Sequence, residues 1–119
     1  MNNKIDAEFI LELQKQFFVD CRDLFTSIEN SLMELEKTHS NEQLKSLLRG
    51  LHSVKGGARA VGFDSLANYV HEIESQLNQL KNSIDINLFL RKLDLMVEHI
   101  NLMEQDKKLK AETILKLFV

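Results

Sequence analysis

Apolar residues recur at three- and four-residue steps along nearly the whole of this chain, and no proline interrupts them. That pattern restricts the chain to amphipathic helices, each with one face to bury. Asp6 is placed to cap a first helix that runs to about Lys37, with Phe17, Cys21, Leu24, Ile28, Leu32 and Leu35 as its stripe. Ile10, Leu13, Phe18 and Phe25 widen that stripe, and a run this long has room for a kink or a split. Thr38-His39-Ser40-Asn41 breaks it, and Ser40 with Gln43 three residues on forms a capping box for a second helix. A third helix runs from Asp64 to about Lys81 on Leu66, Val70, Ile73, Leu77 and Leu80. Asn82-Ser83 is a short turn, and Asp85 caps a fourth helix striped by Phe89, Leu93, Met96, Ile100 and Met103. A shorter last helix, near Lys107 to Phe118, carries Ala111, Ile114, Leu115 and Phe118. Connections this short favour antiparallel neighbours. The expected fold is all-α, an up-and-down four-helix bundle with an additional C-terminal helix, in one domain over residues 1–119.

The second helix is unusual in composition. All four glycines of the chain, Gly50, Gly56, Gly57 and Gly62, fall between Asn41 and Gly62. Leu44, Leu47, Leu48, Leu51, Val54, Ala58 and Val61 nevertheless keep a helical spacing there. A glycine inside a helix costs roughly 0.5–1 kcal/mol relative to alanine. Several in one helix give up more stability than packing alone asks for, so the missing side chains are expected to make room. At 100° per residue His52 lies off the apolar stripe, toward solvent. Its surface neighbours at three, four and seven steps are Lys45, Arg49, Lys55, Gly56 and Arg59, with no acid among them. Taken alone, this is a solvated basic face with an incidental histidine. Gly56, one turn on, clears space for another molecule's backbone beside the imidazole.

Folding the second and third helices back on each other about Val61-Gly62-Phe63 brings residue 52 level with residues 72 to 74. Glu74 stands at the edge of its own apolar stripe, with His71 one turn before it. A carboxylate beside an imidazole accepts a hydrogen bond from one ring nitrogen, fixes the tautomer and frees the other nitrogen's lone pair as a nucleophile. The plainer alternative makes Glu74 an exposed acid paired with a nearby lysine.

At these residues the sequence resembles the histidine-containing phosphotransfer domains. His52-Ser53-Val54-Lys55-Gly56-Gly57-Ala58, Gly62-Phe63, Leu66 and His71-Glu72-Ile73-Glu74 fit the family's H-x-x-K-G-x-A core and the helix after it. The version it resembles most is the N-terminal phosphoacceptor domain of chemotaxis-type histidine kinases, where a second His and a Glu follow at the spacings of His71 and Glu74. The strong match spans roughly residues 44 to 77. The resemblance implies phosphorylation of His52 on its outer ring nitrogen, with Glu74 orienting the ring through the inner one. It implies Lys55 near the phosphoryl group, and Gly56 as the point of partner approach. It also implies two partners, the receiver domain of a response regulator and a sensor kinase or its ATP-binding domain. No cofactor is expected on this chain, magnesium being supplied by the partner's acidic pocket.

The remaining observations narrow the class. The net charge of −3 argues against nucleic acid as the main partner, so the basic strip of Lys45, Arg49, Lys55 and Arg59 is local and suits an acidic pocket. The one cysteine, Cys21, falls on a core face and fits a reducing compartment. No apolar run reaches membrane-spanning length and the N-terminus has no secretory pattern, which points to a cytoplasmic location without a membrane partner. There is no P-loop or kinase signature, so the chain is expected to carry phosphate rather than take it from ATP unaided. A metal-binding bundle needs paired Glu-x-x-His segments; only Glu36-x-x-His39 fits, at a helix end, and no metal ligand is assigned. A structural interaction bundle explains the stripes but gives no reason for glycines beside His52. His39 and His99 read as ordinary surface residues. Within the phosphotransfer class two contexts stand open, a free-standing relay protein and the first domain of a larger chemotaxis-type kinase.

Overall fold

Residues 3–80 and 83–105 are described by a computed structural model of the chain. Four helices follow in order: α1 (Asn3–Thr38), α2 (Asn41–Ala60), α3 (Asp64–Leu80) and α4 (Ile86–Gln105). The expected last helix near Lys107–Phe118, together with Lys81 and Asn82, lies outside the described residues, as does the side chain of His99.

α1 is a single uninterrupted helix, as a 36-residue run without proline or glycine permits. It begins at Asn3, so Asp6 sits inside its first turns and is not its N-cap, a correction to the sequence reading. His39 takes a positive φ of 53°, and the chain turns into α2 at Ser40. The Ser40 hydroxyl accepts the Gln43 N–H at 3.1 Å, which is one half of the expected capping box. The other half is replaced, because the Ser40 N–H donates to Thr38 Oγ1 at 3.3 Å. Asp85 caps α4 as expected, its Oδ1 accepting the Leu88 N–H at 3.2 Å.

Contacts between α1 and α2 run in opposite order along the two helices, as antiparallel packing requires. Gln14 Nε2 donates to the Val61 carbonyl at 2.9 Å at one end, and the Ser31 and Ser46 hydroxyls meet at 3.1 Å nearer the other. α2 packs on α3 and α1 on α4; Lys92 of α4 reaches Gln76 of α3 at 2.9 Å. The core draws on all four helices, with Ile28, Leu32, Leu47, Leu51, Ile73, Leu77, Leu93 and Met96 among its buried residues. Nearly every stripe residue is buried or half-buried; Ile10, Leu13 and Leu80 are exposed. The first two lie on the part of α1 before Gln14, which reaches the last turn of α2. Leu80 is the last residue of α3.

Two of the glycines are explained by packing, contrary to the expectation that packing does not ask for them. A Cβ on Gly50 would stand 2.6 Å from Ile28 Cγ1, and one on Gly57 would stand 3.1 Å from Phe17 Cδ1. They let α1 and α2 approach closely. A Cβ on Gly56 would meet nothing within 4 Å, so that position is open to solvent as expected.

Candidate functional site

The site is built on the α2–α3 hairpin, and the turn between these helices sets its register. Gly62 has φ +88°, a left-handed conformation that favours glycine. Its N–H donates to the Arg59 carbonyl at 3.2 Å and the Phe63 N–H to the Ala58 carbonyl at 2.8 Å. This pair of bonds is the Schellman closure of a helix C-terminus. Phe63 then packs edge-on to Phe17 at a centroid distance of 5.6 Å, and lies 5.7 Å from the Phe18 ring. The hairpin is thereby fixed to α1, and α3 leaves the turn with Glu74 level with His52.

His52 stands on the outer face of α2 with 72 % of its side chain exposed. Its inner ring nitrogen Nδ1 lies 3.9 Å from Glu74 Oε2. That is too long for a hydrogen bond, which closes at roughly 2.7–3.2 Å, but the facing atoms are the two that the tautomer argument requires. An approach of roughly 1 Å by an exposed ring would close the bond. The outer nitrogen is left for a partner.

Lys55 departs from the sequence reading. It is not on the solvated strip: its side chain is only 11 % exposed, and its Nζ lies 2.9 Å from Glu74 Oε1. That oxygen is buried, and the ammonium approaches it off the hydrogen-bond direction. At 2.9 Å the contact is an ion pair, and the oxygen is not orphaned. Glu74, 14 % exposed, thus divides its two oxygens between Lys55 and His52. Glu74 pairs with a lysine and faces the imidazole at once, but it is not the exposed acid of the plainer reading, because its side chain is mostly covered. The signal for Lys55 was in the helical wheel, where it falls about 40° from Leu51 at 100° per residue, inside the margin of the buried stripe.

Lys45, Arg49 and Arg59 are exposed and, among the described residues, none of the three is ion-paired. Gly56 is exposed beside them. His71 is exposed, and no hydrogen bond or ion pair ties it to His52 or Glu74. Among the described residues no group of three or more His, Cys, Asp or Glu is placed to hold a metal ion. No described helix is long and apolar enough to cross a membrane.

The arrangement is one of positioning. A rigid helix presents an imidazole, a carboxylate faces the ring's inner nitrogen, and a buried ammonium neutralises that carboxylate. Such a group can accept and release an electrophile at its outer nitrogen without assembling anything further on this chain.

Comparison with known proteins agrees. The model of the Hpt domain family matches residues 12–104. Chemotaxis protein CheA of Salmonella typhimurium is 32 % identical over 99 residues, 77 % of this chain and 15 % of that protein. Chemotaxis protein CheA of Rhizobium meliloti is 30 % identical over 97 residues, 76 % of this chain and 13 % of that protein. The protein of the same name from Cereibacter sphaeroides is 34 % identical over 74 residues, 59 % of this chain and 11 % of that protein. The chain therefore spans a small part of the length of the curated relatives it matches. No solved structure matches it.

Proposed function

The chain belongs to the Hpt domain family, the histidine-containing phosphotransfer domains, and on that premise we propose that His52 is its phosphoacceptor. The observation that supports this is the exposed imidazole whose inner nitrogen faces a carboxylate already neutralised by Lys55. In this reading Glu74 accepts the Nδ1 proton in a hydrogen bond, and the Nε2 lone pair attacks the phosphorus of the donor. The N–P bond forms as the donor's P–O bond breaks, and the leaving group departs with that bond's electrons. In the onward step a receiver aspartate oxygen attacks the same phosphorus, the N–P bond breaks, and the imidazole returns to its starting form. Magnesium and the remaining charge neutralisation belong to the partner's acidic pocket, which Lys45, Arg49 and Arg59 would complement. Gly56 leaves the clearance that this docking needs. Lys55 acts on Glu74 in this scheme and not on the phosphoryl group directly. His71 is a polar neighbour on α3 with no assigned step.

The similarity to proteins named chemotaxis protein CheA favours one donor, the ATP-binding domain of a chemotaxis-type kinase. Incubation of the chain with such a domain and radiolabelled ATP is expected to yield a phosphoprotein stable in base and labile in acid. His52→Gln should abolish the label; labelling of that variant at the wild-type level overturns the assignment.

A further inference from the structure

Leu88, Leu95 and Leu102 recur on α4 at steps of seven, a spacing that keeps them in one row along the helix. The row drifts by only about 20° per step, and it stands on the side of α4 turned away from the buried Leu93 and Ile100. It is about 21 Å long at 1.5 Å per residue. Leu88 is 42 % and Leu102 39 % exposed, Leu95 is half-buried between them, and no described element covers the two ends. Arg91 and Glu98 lie along one edge of the row, both exposed and, among the described residues, neither ion-paired. An uncovered leucine row flanked by charge of both signs marks a surface that meets another helix.

We propose that a second copy of this chain occupies the row, with the two α4 helices antiparallel about a two-fold axis. A closed two-fold contact brings one patch onto itself, so the patch must match its own reverse. This one does. An axis midway between Asp94 and Leu95 sets Leu88 beside Leu102 of the second copy and Leu95 beside Leu95. Antiparallel helices related by a two-fold keep like edges together, so the same axis sets Arg91 opposite Glu98 of the second copy, twice over. A parallel pair exchanges the edges and puts Arg91 beside Lys92 of the second copy, a like-charge contact that disfavours it. An unrelated helix would have to bring a matching order of leucines and charges, whereas a second copy already carries it. Three leucines per copy make a small interface, so the expected dissociation constant falls between about 10 µM and about 1 mM. α4 packs on α1 and reaches α3 through Lys92, while α2 packs on α1 and α3, so the two helices stand diagonally in the bundle. Pairing through α4 therefore leaves both copies of His52 open, and the inference does not depend on the chemistry there.

Sedimentation equilibrium of the full chain from about 10 µM to about 1 mM tests it, at low ionic strength, where exposed charges act furthest. The weight-average mass is expected to rise from 13.8 kDa toward twice that value. Leu102→Lys, at an exposed position, should hold it at the monomer mass throughout. Arg91→Glu and Glu98→Arg should each weaken association by about tenfold, since two pairs turn repulsive at once. The double exchange of Arg91→Glu with Glu98→Arg should restore it to within about twofold of wild type. Wild-type protein that stays monomeric across the range overturns the proposal, as does association that survives Leu102→Lys. So does a double exchange that associates no more tightly than the single variants. Tighter association from Arg91→Glu alone overturns it too, by assigning a parallel pair.

Discussion

Glu74 faces two partners, and its value to the site depends on both. Removing the carboxylate leaves His52 without an orienting acceptor and the buried Lys55 without its counter-ion. Glu74→Ala is therefore expected to slow phosphoryl acceptance by about tenfold or more, the scale of losing an imidazole's orienting partner, and also to lower the thermal midpoint, because it leaves the buried Lys55 ammonium without its counter-charge. Unchanged labelling kinetics would remove Glu74 from the reaction. Lys55→Met does the reverse, leaving a mostly buried carboxylate without its counter-charge. Its expected cost is about 1–3 kcal/mol in chemical denaturation, partly recovered when Glu74→Gln is added. Cys21 is a different kind of buried group. Burial, with Asp20 beside it and Arg22 opposing, pushes its thiol from 9.0 to about 12. The folded state thus favours the neutral thiol, and the sign follows: this contribution is intact below pH 9 and is lost as pH rises toward 12. Wild-type stability should fall relative to Cys21→Ala by about 1.4 kcal/mol per pH unit in that window. Parallel denaturation curves for the two proteins from pH 8 upward would contradict it.

At the scale of the helix, α2 explains how much of the molecule its sequence disclosed. Periodicity alone located the core faces of all four described helices, because burial is a property of spacing that needs no knowledge of the partner helix. The caps at Ser40 and Asp85 were equally legible, since a cap is a local bond. What spacing could not assign was the reason for each glycine, which depends on what lies opposite. Gly50 faces Ile28, Gly57 faces Phe17, Gly62 closes the helix at positive φ, and Gly56 faces nothing. Spacing puts Lys55 at the margin of the buried stripe, but the counter-ion that lets a lysine stay there is on another helix and is not legible from α2 alone. The four positions therefore respond differently to alanine. Gly50→Ala should destabilise the bundle by about 1–3 kcal/mol through the clash with Ile28. Gly56→Ala should stabilise it by roughly 0.5–1 kcal/mol, the helix-propensity gain of a position without constraint. If Gly56 is kept for partner access, that gain comes with slower phosphoryl transfer to a receiver. Thermal melts and transfer kinetics on the same two variants separate packing from clearance. A Gly56→Ala protein that is more stable and transfers at the wild-type rate would leave the glycine without a docking role.

The whole molecule is weakly acidic, with 18 acidic against 15 basic residues, yet the face around His52 presents Lys45, Arg49 and Arg59 without internal partners among the described residues. Internal pairing is concentrated elsewhere, in Lys15–Glu12, Arg22–Glu104 and Lys37–Glu34, all of them on or against α1. The sequence located the strip, but only the folded arrangement separates the buried Lys55 from its three exposed neighbours, so it is these three that act at long range. Exposed charges of this kind add little to the lifetime of a complex and mostly set how often productive encounters occur. Their reach follows the Debye length, about 30 Å at 0.01 M salt and about 8 Å at 0.15 M. Arg49→Glu combined with Arg59→Glu should therefore slow association with an acidic receiver by about tenfold at low ionic strength, with dissociation little changed. The difference between variant and wild type should narrow steadily as salt is added. Stopped-flow association measured across that range decides the matter. Rates that differ by the same factor at every ionic strength would assign the two arginines to the contact itself, and identical rates throughout would reduce the strip to a solvated surface.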